Sequence, residues 1–259
     1  MDVPLPSRHF HPPLAAPHPH PLVPLAALTL YRVGAGLTLL LVLTAFSGQP
    51  AHAVSAATIR VLVADNARVV EVGGGAVQVD DLGGQPLLPH ASAWVRVSQR
   101  EGLVEVSGRR APGLRLRAVG GPGLRVNGRE YTGVIEIRRS DDGLLVVNEL
   151  PLEEYLAGVL KAEASEQWGM EMLRAQAIVA RTYAAYHRQA NQAKPFHIVA
   201  STLHQQYAGR VAPDSPIWTA VKETERQILL WEGQLFPAFY HTDSGGHTED
   251  PRLVFASNN

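Results

Sequence analysis

The hydrophobic period of this chain changes once, at Asn148, and that change narrows the folds open to it. From Thr58 to Val147 the apolar residues alternate or come in short runs broken by turn formers, as strands do. Ile59, Val61 and Val63 alternate with Arg60 and Leu62, and Val69, Val70 and Val72 form a run that ends at Gly73-Gly74-Gly75. Further runs are Ala76–Val79, Trp94–Val97, Leu103–Val106, Leu114–Ala118, Leu124–Val126, Val134–Arg138 and Leu144–Val147. Asn127-Gly128 and Asp142-Gly143 are turn dipeptides because their residues tolerate positive φ. Few side chains here suit catalysis. Residues 58–147 read as a small β-rich domain that positions or binds.

Beyond Asn148 the spacing becomes helical. Leu152, Tyr155, Leu156, Val159 and Leu160 share one face, with Pro151 near the first turn. After Trp168-Gly169 a second helix runs from about Glu171 to Gln189, apolar enough to be buried on most sides. A polar loop carries His197 to Tyr207, and Ile217–Thr224 reads as a third helix. Two strands, Gln227–Trp231 and Leu235–Tyr240, then lead into the loop Thr242–Glu249. The expected class is α+β, a small β-domain followed by a mixed helical and strand domain over residues 148–259.

Composition excludes some functions. The chain has 259 residues, 46% of them apolar, enough for one or two packed cores. A net charge of -1, with no basic stripe interleaved with aromatics, gives no reason to expect nucleic acid as a partner. Cysteine is absent, which rules out disulfides and a thiolate nucleophile. Residues 1–24 are rich in Pro and His and read as disordered. Arg32, the apolar run Val33–Phe46 and the small-residue triplet Ala51-His52-Ala53 then make a signal peptide, with residues 1–53 as the leader. The run is short for a membrane span, and an uncleaved anchor is the alternative. Both place the globular part outside the cytoplasm, in the periplasm or the wall.

Three places could carry chemistry. Glu163 ends the first helix among small and apolar neighbours, Val159 one turn back and Trp168 just beyond. Burial against apolar surface would keep its carboxyl protonated and suit a general acid; a solvated or capping glutamate is the plainer reading. Gln176 and Arg181 interrupt an apolar helix and must find polar partners, structural or catalytic. The segment Tyr240-His241-Thr242-Asp243-Ser244-Gly245-Gly246-His247-Thr248-Glu249 crowds donors and acceptors around paired glycines that permit close approach to a ligand. A Ser/His/Asp triad does not follow, since no nucleophile-elbow motif is present. His197, His204, His241 and His247 offer imidazoles, but without HExxH or cysteine no metal is expected.

Four segments in order resemble the SpoIID/LytB family. They are Val147-Asn148-Glu149-Leu150-Pro151-Leu152-Glu153-Glu154-Tyr155-Leu156-Ala157-Gly158-Val159; then Glu163 and Trp168 with Leu173–Tyr183; then Gln205-Gln206-Tyr207-Ala208-Gly209, similar to Q-x-Y-x-G; and the segment Tyr240–Glu249. The region from Ile59, with Val126-Asn127-Gly128 and Tyr131-Thr132-Gly133, also resembles the N-terminal part of these proteins.

The resemblance implies a peptidoglycan lytic transglycosylase acting on glycan strands, with Glu163 as its catalytic acid and base. His241, Ser244, Gly245, Gly246, Gln205 and Tyr207 would contact substrate, and Gln176 and Arg181 would support the site. The implied alternative is a wall-binding amidase enhancer with a cell-wall amidase as partner. Some members hold a metal with a cysteine and a histidine ahead of Q-x-Y-x-G. Here His204 stands in the cysteine's place and Leu203 in the histidine's, so no cofactor is expected. Members usually continue past the Ser-Gly-Gly loop, so a chain cut short at Asn259 is also expected.

Overall fold

The computed structural model describes residues 57–241 and 243–250. The expected leader, residues 1–53 with its Ala51-His52-Ala53 site, lies outside the described residues, as does Thr242. Ten strands come first: β1 Thr58–Ala67, β2 Val69–Asp81, β3 Ser92–Arg100, β4 Leu103–Val106, β5 Arg109–Ala111, β6 Gly113–Val119, β7 Leu124–Val126, β8 Arg129–Tyr131, β9 Val134–Arg139 and β10 Leu144–Pro151. Helices α1 Leu152–Glu163 and α2 Met170–Ala190 follow, then β11 Ile198–Val199 and α3 Ile217–Glu223.

All eleven strands join one sheet in the order β11-β1-β10-β9-β6-β2-β3-β4-β5, with β7 beside β2 and β8 beside β7. The pairing is antiparallel except where β11 runs parallel to β1. The architecture is mixed α+β.

Three local readings change. The helical period does not begin at Asn148, because β10 carries on to Pro151. Asn148 stays in the strand, fully buried, by donating Nδ2 to the Thr132 and Val134 carbonyls at 2.8 and 3.3 Å. Pro151, which lacks an N–H, then ends the ladder and opens α1. Gly73-Gly74-Gly75 does not end a strand either. β2 runs through it with a register shift between Gly73 and Val77, and a side chain on Gly73 would overlap the Trp94 indole.

The strands expected at Gln227–Trp231 and Leu235–Tyr240 shrink to a single bridge between Trp231 and Gln234. This stretch docks on α2 rather than on a sheet edge: Leu229 N–H donates to Thr182 Oγ1 at 2.9 Å, and Phe239 and Tyr240 pack edge-on to Tyr183. The helix it docks on is buried on all sides over Ala180–Ala184 and on one side nearer its start. Leu173, Ala177, Ala180 and Ala184 form the inward stripe, while Met172 and Ala175 face out.

The core passes without interruption from the sheet into the helices, through Ile59, Leu150, Tyr155, Leu160 and Ile217 among others. Each such side chain contributes roughly 1.5–3 kcal/mol on burial.

Gly158, in the middle of α1, shows how tightly this interface closes. Ala208 N–H donates to its carbonyl at 3.0 Å, and a methyl at Gly158 would fall on the Tyr207 ring and lie 2.6 Å from the Gly209 carbonyl oxygen. Elsewhere in a helix Gly→Ala gains about 1 kcal/mol. Here the overpacking penalty, about 1–3 kcal/mol, opposes that gain against a backbone atom that has little room to move. Gly158→Ala is therefore expected to lower the urea midpoint; an unchanged or higher midpoint would show that the interface can give way.

Candidate active site

Glu163 closes α1 and is half-buried. Its Oε1 accepts from the backbone N–H of Gln206 at 2.6 Å, while Oε2 has no hydrogen-bond partner among the described residues. One oxygen is thus held and the other is open to a ligand. Of the apolar neighbours expected around it, Val159 is in the core and Trp168 is exposed.

Tyr240 lies close enough for the Glu163 carboxylate to be felt at its phenol. Burial first, and then that negative charge, push its pKa upward, so the hydroxyl keeps its proton. Its oxygen accepts from Gln205 Nε2 at 3.1 Å, which leaves its own hydrogen available. Tyr240 stands in the quoted motif, but sequence alone did not distinguish it from a core tyrosine.

Gln205 and Tyr207, expected against substrate, lie beneath the surface instead. Gln205 is fully buried: Oε1 accepts from Tyr155 at 3.0 Å, and Nε2 also reaches the Ala180 carbonyl at 3.3 Å. Tyr207 donates to Asn148 Oδ1 at 2.9 Å, and its ring packs on Tyr155 and Tyr131. Gly209, with φ +82°, comes so close to the Glu130 carbonyl that no side chain fits. The motif therefore fastens the segment that holds Glu163. Its polar side chains orient the site from below.

Arg181 is 0% exposed, and its partners are structural. It makes a two-pronged pair with Glu153, Nε to Oε1 at 3.0 Å and Nη2 to Oε2 at 2.8 Å. It also donates to the carbonyls of Val221 and Gln227 and to Thr224 Oγ1. It ties the start of α1 to α2 and α3 and touches neither Glu163 nor the glycine loop. Gln176 is half-buried on α2 without a hydrogen-bond partner among the described residues.

His241, Ser244, Gly245, Gly246 and His247 are all exposed. Asp243 Oδ1 accepts from Gly245 N–H at 2.8 Å, a local turn. Gly245 and Gly246 have φ of +63° and +104°, and the space beside both is open. Tyr240 at the base of this loop lies near Glu163; the described contacts bring no loop residue to it. Two concavities of about 440 and 450 Å³ flank Trp218 and Glu154, and Glu163 lines neither. Their size is no guide to the chemistry.

The four imidazoles considered for a metal do not converge. His197 bonds to Arg60, whereas His204 packs edge-on to His187 with ring centres 4.8 Å apart. Among the described residues no three metal-ligating side chains cluster, and Leu203 is 79% exposed. The residues do not fit the family's cysteine-and-histidine site. His187 Nε2 and His204 Nδ1 are buried without hydrogen-bond partners among the described residues. Burial, then the His204 and Lys194 charges, bring the His187 pKa down to about 4, and burial and Lys194 lower that of His204. The helical spacing of Tyr183 and His187 was the available sequence signal for this cluster.

Residues 140–231 match the family model SpoIID, stage II sporulation protein. An uncharacterized protein of Brachyspira hyodysenteriae is 39% identical over 134 residues, 51% of this chain and 36% of that protein. The amidase enhancer of Bacillus subtilis is 32% identical over 102 residues, 39% of this chain and 14% of the enhancer. Stage II sporulation protein D of Bacillus amyloliquefaciens is 29% identical over 126 residues, 43% of this chain and 37% of that protein. The chain thus spans little more than a third of these curated relatives at most.

Arg181→Ala strands the Glu153 carboxylate and several carbonyls, and is expected to lower unfolding free energy by about 3–5 kcal/mol. Urea denaturation checks this; a loss below about 1 kcal/mol would mean that water replaces the guanidinium freely.

The histidines set an acid limit. Their folded pKa values lie below the ordinary 6.5, about 4 for His187 and His197, so the unfolded chain binds more protons between those values. Stability is present above about pH 6.5 and falls as pH drops toward 4. Melting temperatures across that range are expected to decline, and less steeply in His187→Gln.

Proposed function

Because residues 140–231 form a SpoIID domain, distantly homologous to stage II sporulation protein D and the amidase enhancer, we propose that this protein cleaves peptidoglycan glycan strands outside the cytoplasm. The observation that carries this reading is Glu163: one carboxyl oxygen held by a backbone N–H, the other free, at the end of a helix that the buried motif fixes from behind.

In this mechanism protonated Glu163 gives its proton to the glycosidic oxygen between N-acetylmuramic acid and N-acetylglucosamine. The C1–O bond breaks through an oxocarbenium-like transition state. The Glu163 carboxylate then takes the proton of the muramic C6 hydroxyl as that oxygen bonds to C1. The products are a 1,6-anhydro end and a free 4-hydroxyl. One carboxyl acts as acid and then base, so no second carboxylate is required. Among the described residues no further carboxylate is bonded to this site. Tyr240, a neutral donor near Glu163, and the exposed residues His241, Ser244, Gly245, Gly246 and His247 would hold the sugar.

No electron transfer occurs in this reaction. The open space beside Gly245 and Gly246 supports the role of the loop, since a glycan can approach there without a clash, while the two N–H groups are already bonded to Asp243 Oδ1 and Ser244 Oγ.

The amidase-enhancer relative favours a second reading, in which the chain binds wall glycan and stimulates a separate amidase. Product analysis separates the two.

Incubated with peptide-free glycan strands, the purified chain is expected to yield 1,6-anhydro-terminated fragments by mass spectrometry. Glu163→Gln, nearly isosteric but unable to exchange the proton, is expected to lose roughly 100- to 10,000-fold in rate with an unchanged melting temperature. Intact strands with the wild type, alongside a faster amidase, would favour the enhancer. Full activity in the Gln variant would remove Glu163 from the mechanism.

A further inference from the structure

A third concavity, polar and of about 330 Å³, opens where β1, β6, β9 and β10 meet the end of α2, and Glu163 is not among its lining residues. Four guanidinium groups, Arg60, Arg115, Arg138 and Arg188, share it with two carboxylates, Glu136 and Glu149. The carboxylates are committed to half of the arginines. Arg115 bridges Glu136 Oε2 and Glu149 Oε2, both at 2.8 Å, and Arg138 Nε donates to Glu136 Oε1. Arg60 and Arg188 have no acidic partner: Arg60 Nη2 donates to the Gln192 carbonyl at 2.7 Å and Arg188 Nε to that of Thr58 at 2.8 Å. A surplus of two positive charges therefore sits in a concave site, where the surrounding protein focuses the field.

The histidine between them sharpens the deficit. Both ring nitrogens of His197 face donors of Arg60: Nδ1 lies 3.1 Å from its backbone N–H, while Nε2 lies 3.2 Å from Nε and 2.8 Å from Nη2. A neutral imidazole can accept at only one nitrogen. Burial, then the charges of Arg60 and Arg188, hold the His197 pKa down to about 4, so the ring is neutral at neutral pH. Whichever nitrogen accepts, the ring is neutral, so it takes up hydrogens of Arg60 without offsetting the guanidinium charge. What the pocket lacks is an acceptor with negative charge.

We propose that this pocket is an oxyanion subsite that takes a carboxylate or phosphate group between Arg60 and Arg188, beside His197. Such a group would offset both uncommitted guanidinium charges with charge-assisted hydrogen bonds. The subsite stands apart from the Glu163 reaction. Only the identity of its ligand rests on the glycan reading: strands stripped of stem peptides carry a free lactyl carboxylate on each muramic residue.

The test titrates the full chain at low salt with inorganic phosphate, N-acetylmuramic acid and neutral N-acetylglucosamine. It is followed by calorimetry and by NMR of the His197 ring nitrogens. Saturable phosphate binding that moves the Nε2 signal is expected, with Arg60→Gln and Arg188→Gln each weakening it about 10-fold. Binding of N-acetylmuramic acid but not N-acetylglucosamine assigns the natural group as a carboxylate. Phosphate binding alone keeps the subsite and overturns that assignment. Glu163→Gln is expected to keep wild-type anion affinity, which separates this result from any failure of glycan cleavage. An Nε2 signal unmoved by either anion, or equal affinity in folded Arg variants, overturns the subsite. If a variant does not fold, the wild-type NMR titration still decides.

Discussion

The placement of the candidate catalytic carboxyl depends on one short segment, Gln205–Gly209, which cannot shift without breaking contacts on three sides. The Gln206 N–H holds Glu163, Gln205 is bonded to Tyr155, Ala180 and Tyr240, and Tyr207 is bonded to Asn148 in the sheet. Ala208 is bonded to Gly158 in α1, and Gly209 sits against the Glu130 carbonyl in β8. Each residue is therefore chosen for a different neighbour. A buried polar network of this kind is stable only when every member is satisfied, and that requirement makes it rigid. In the proposed reaction rigidity is what a single acid–base group would need, because it would have to reach the glycosidic oxygen and then the C6 hydroxyl from one position.

Around that segment the buried polar groups divide by role. Arg181 and Asn148 are buried and hydrogen-bonded to carboxylate or backbone groups; they join helices to one another and to the sheet. His187 and His204 each leave a ring nitrogen buried without a partner, beside Tyr183 and under the stretch that leads to the glycine loop. An unsatisfied polar atom is destabilising. Here it lies beside the candidate site rather than in the distant sheet.

The candidate catalytic and anion sites use opposite physical means. At Glu163 a carboxylate is fixed by one backbone donor and its other oxygen has no hydrogen-bond partner among the described residues. In the pocket at Arg60 and Arg188 the donors are in excess and the acceptor is missing. Wall glycan freed of peptides offers both complements, a neutral glycosidic oxygen and a regularly repeated carboxylate. On the proposed reading, a chain with net charge near zero would grip an anionic polymer at one chosen place instead of over its whole surface.

Much of this was legible in the residues themselves. Alternation and turn dipeptides located most of the strands, helical spacing placed α1, α2 and α3 within a few residues, and the position of Glu163 at the end of α1 followed from the same pattern. These are local properties, written in a period of two or 3.6 and in residues that tolerate or forbid particular backbone angles. Partnership is not local. Nothing in the sequence distinguishes a Gln or Tyr that touches substrate from one that is buried beneath it, so Gln205 and Tyr207 looked like ligand contacts. Nor could Arg181, paired with Glu153 twenty-eight positions away, be told from a catalytic support, or the arginines of β1 and α2 be seen to share one pocket with His197. The strands misread at Gln227–Tyr240 have strand-like residues, but this stretch docks on α2 instead of joining a strand of the sheet. The sequence by itself determined where elements begin and which side chains can do chemistry; tertiary structure decided which of them meet, because hydrogen bonds and ion pairs depend on distances that only the packed chain sets.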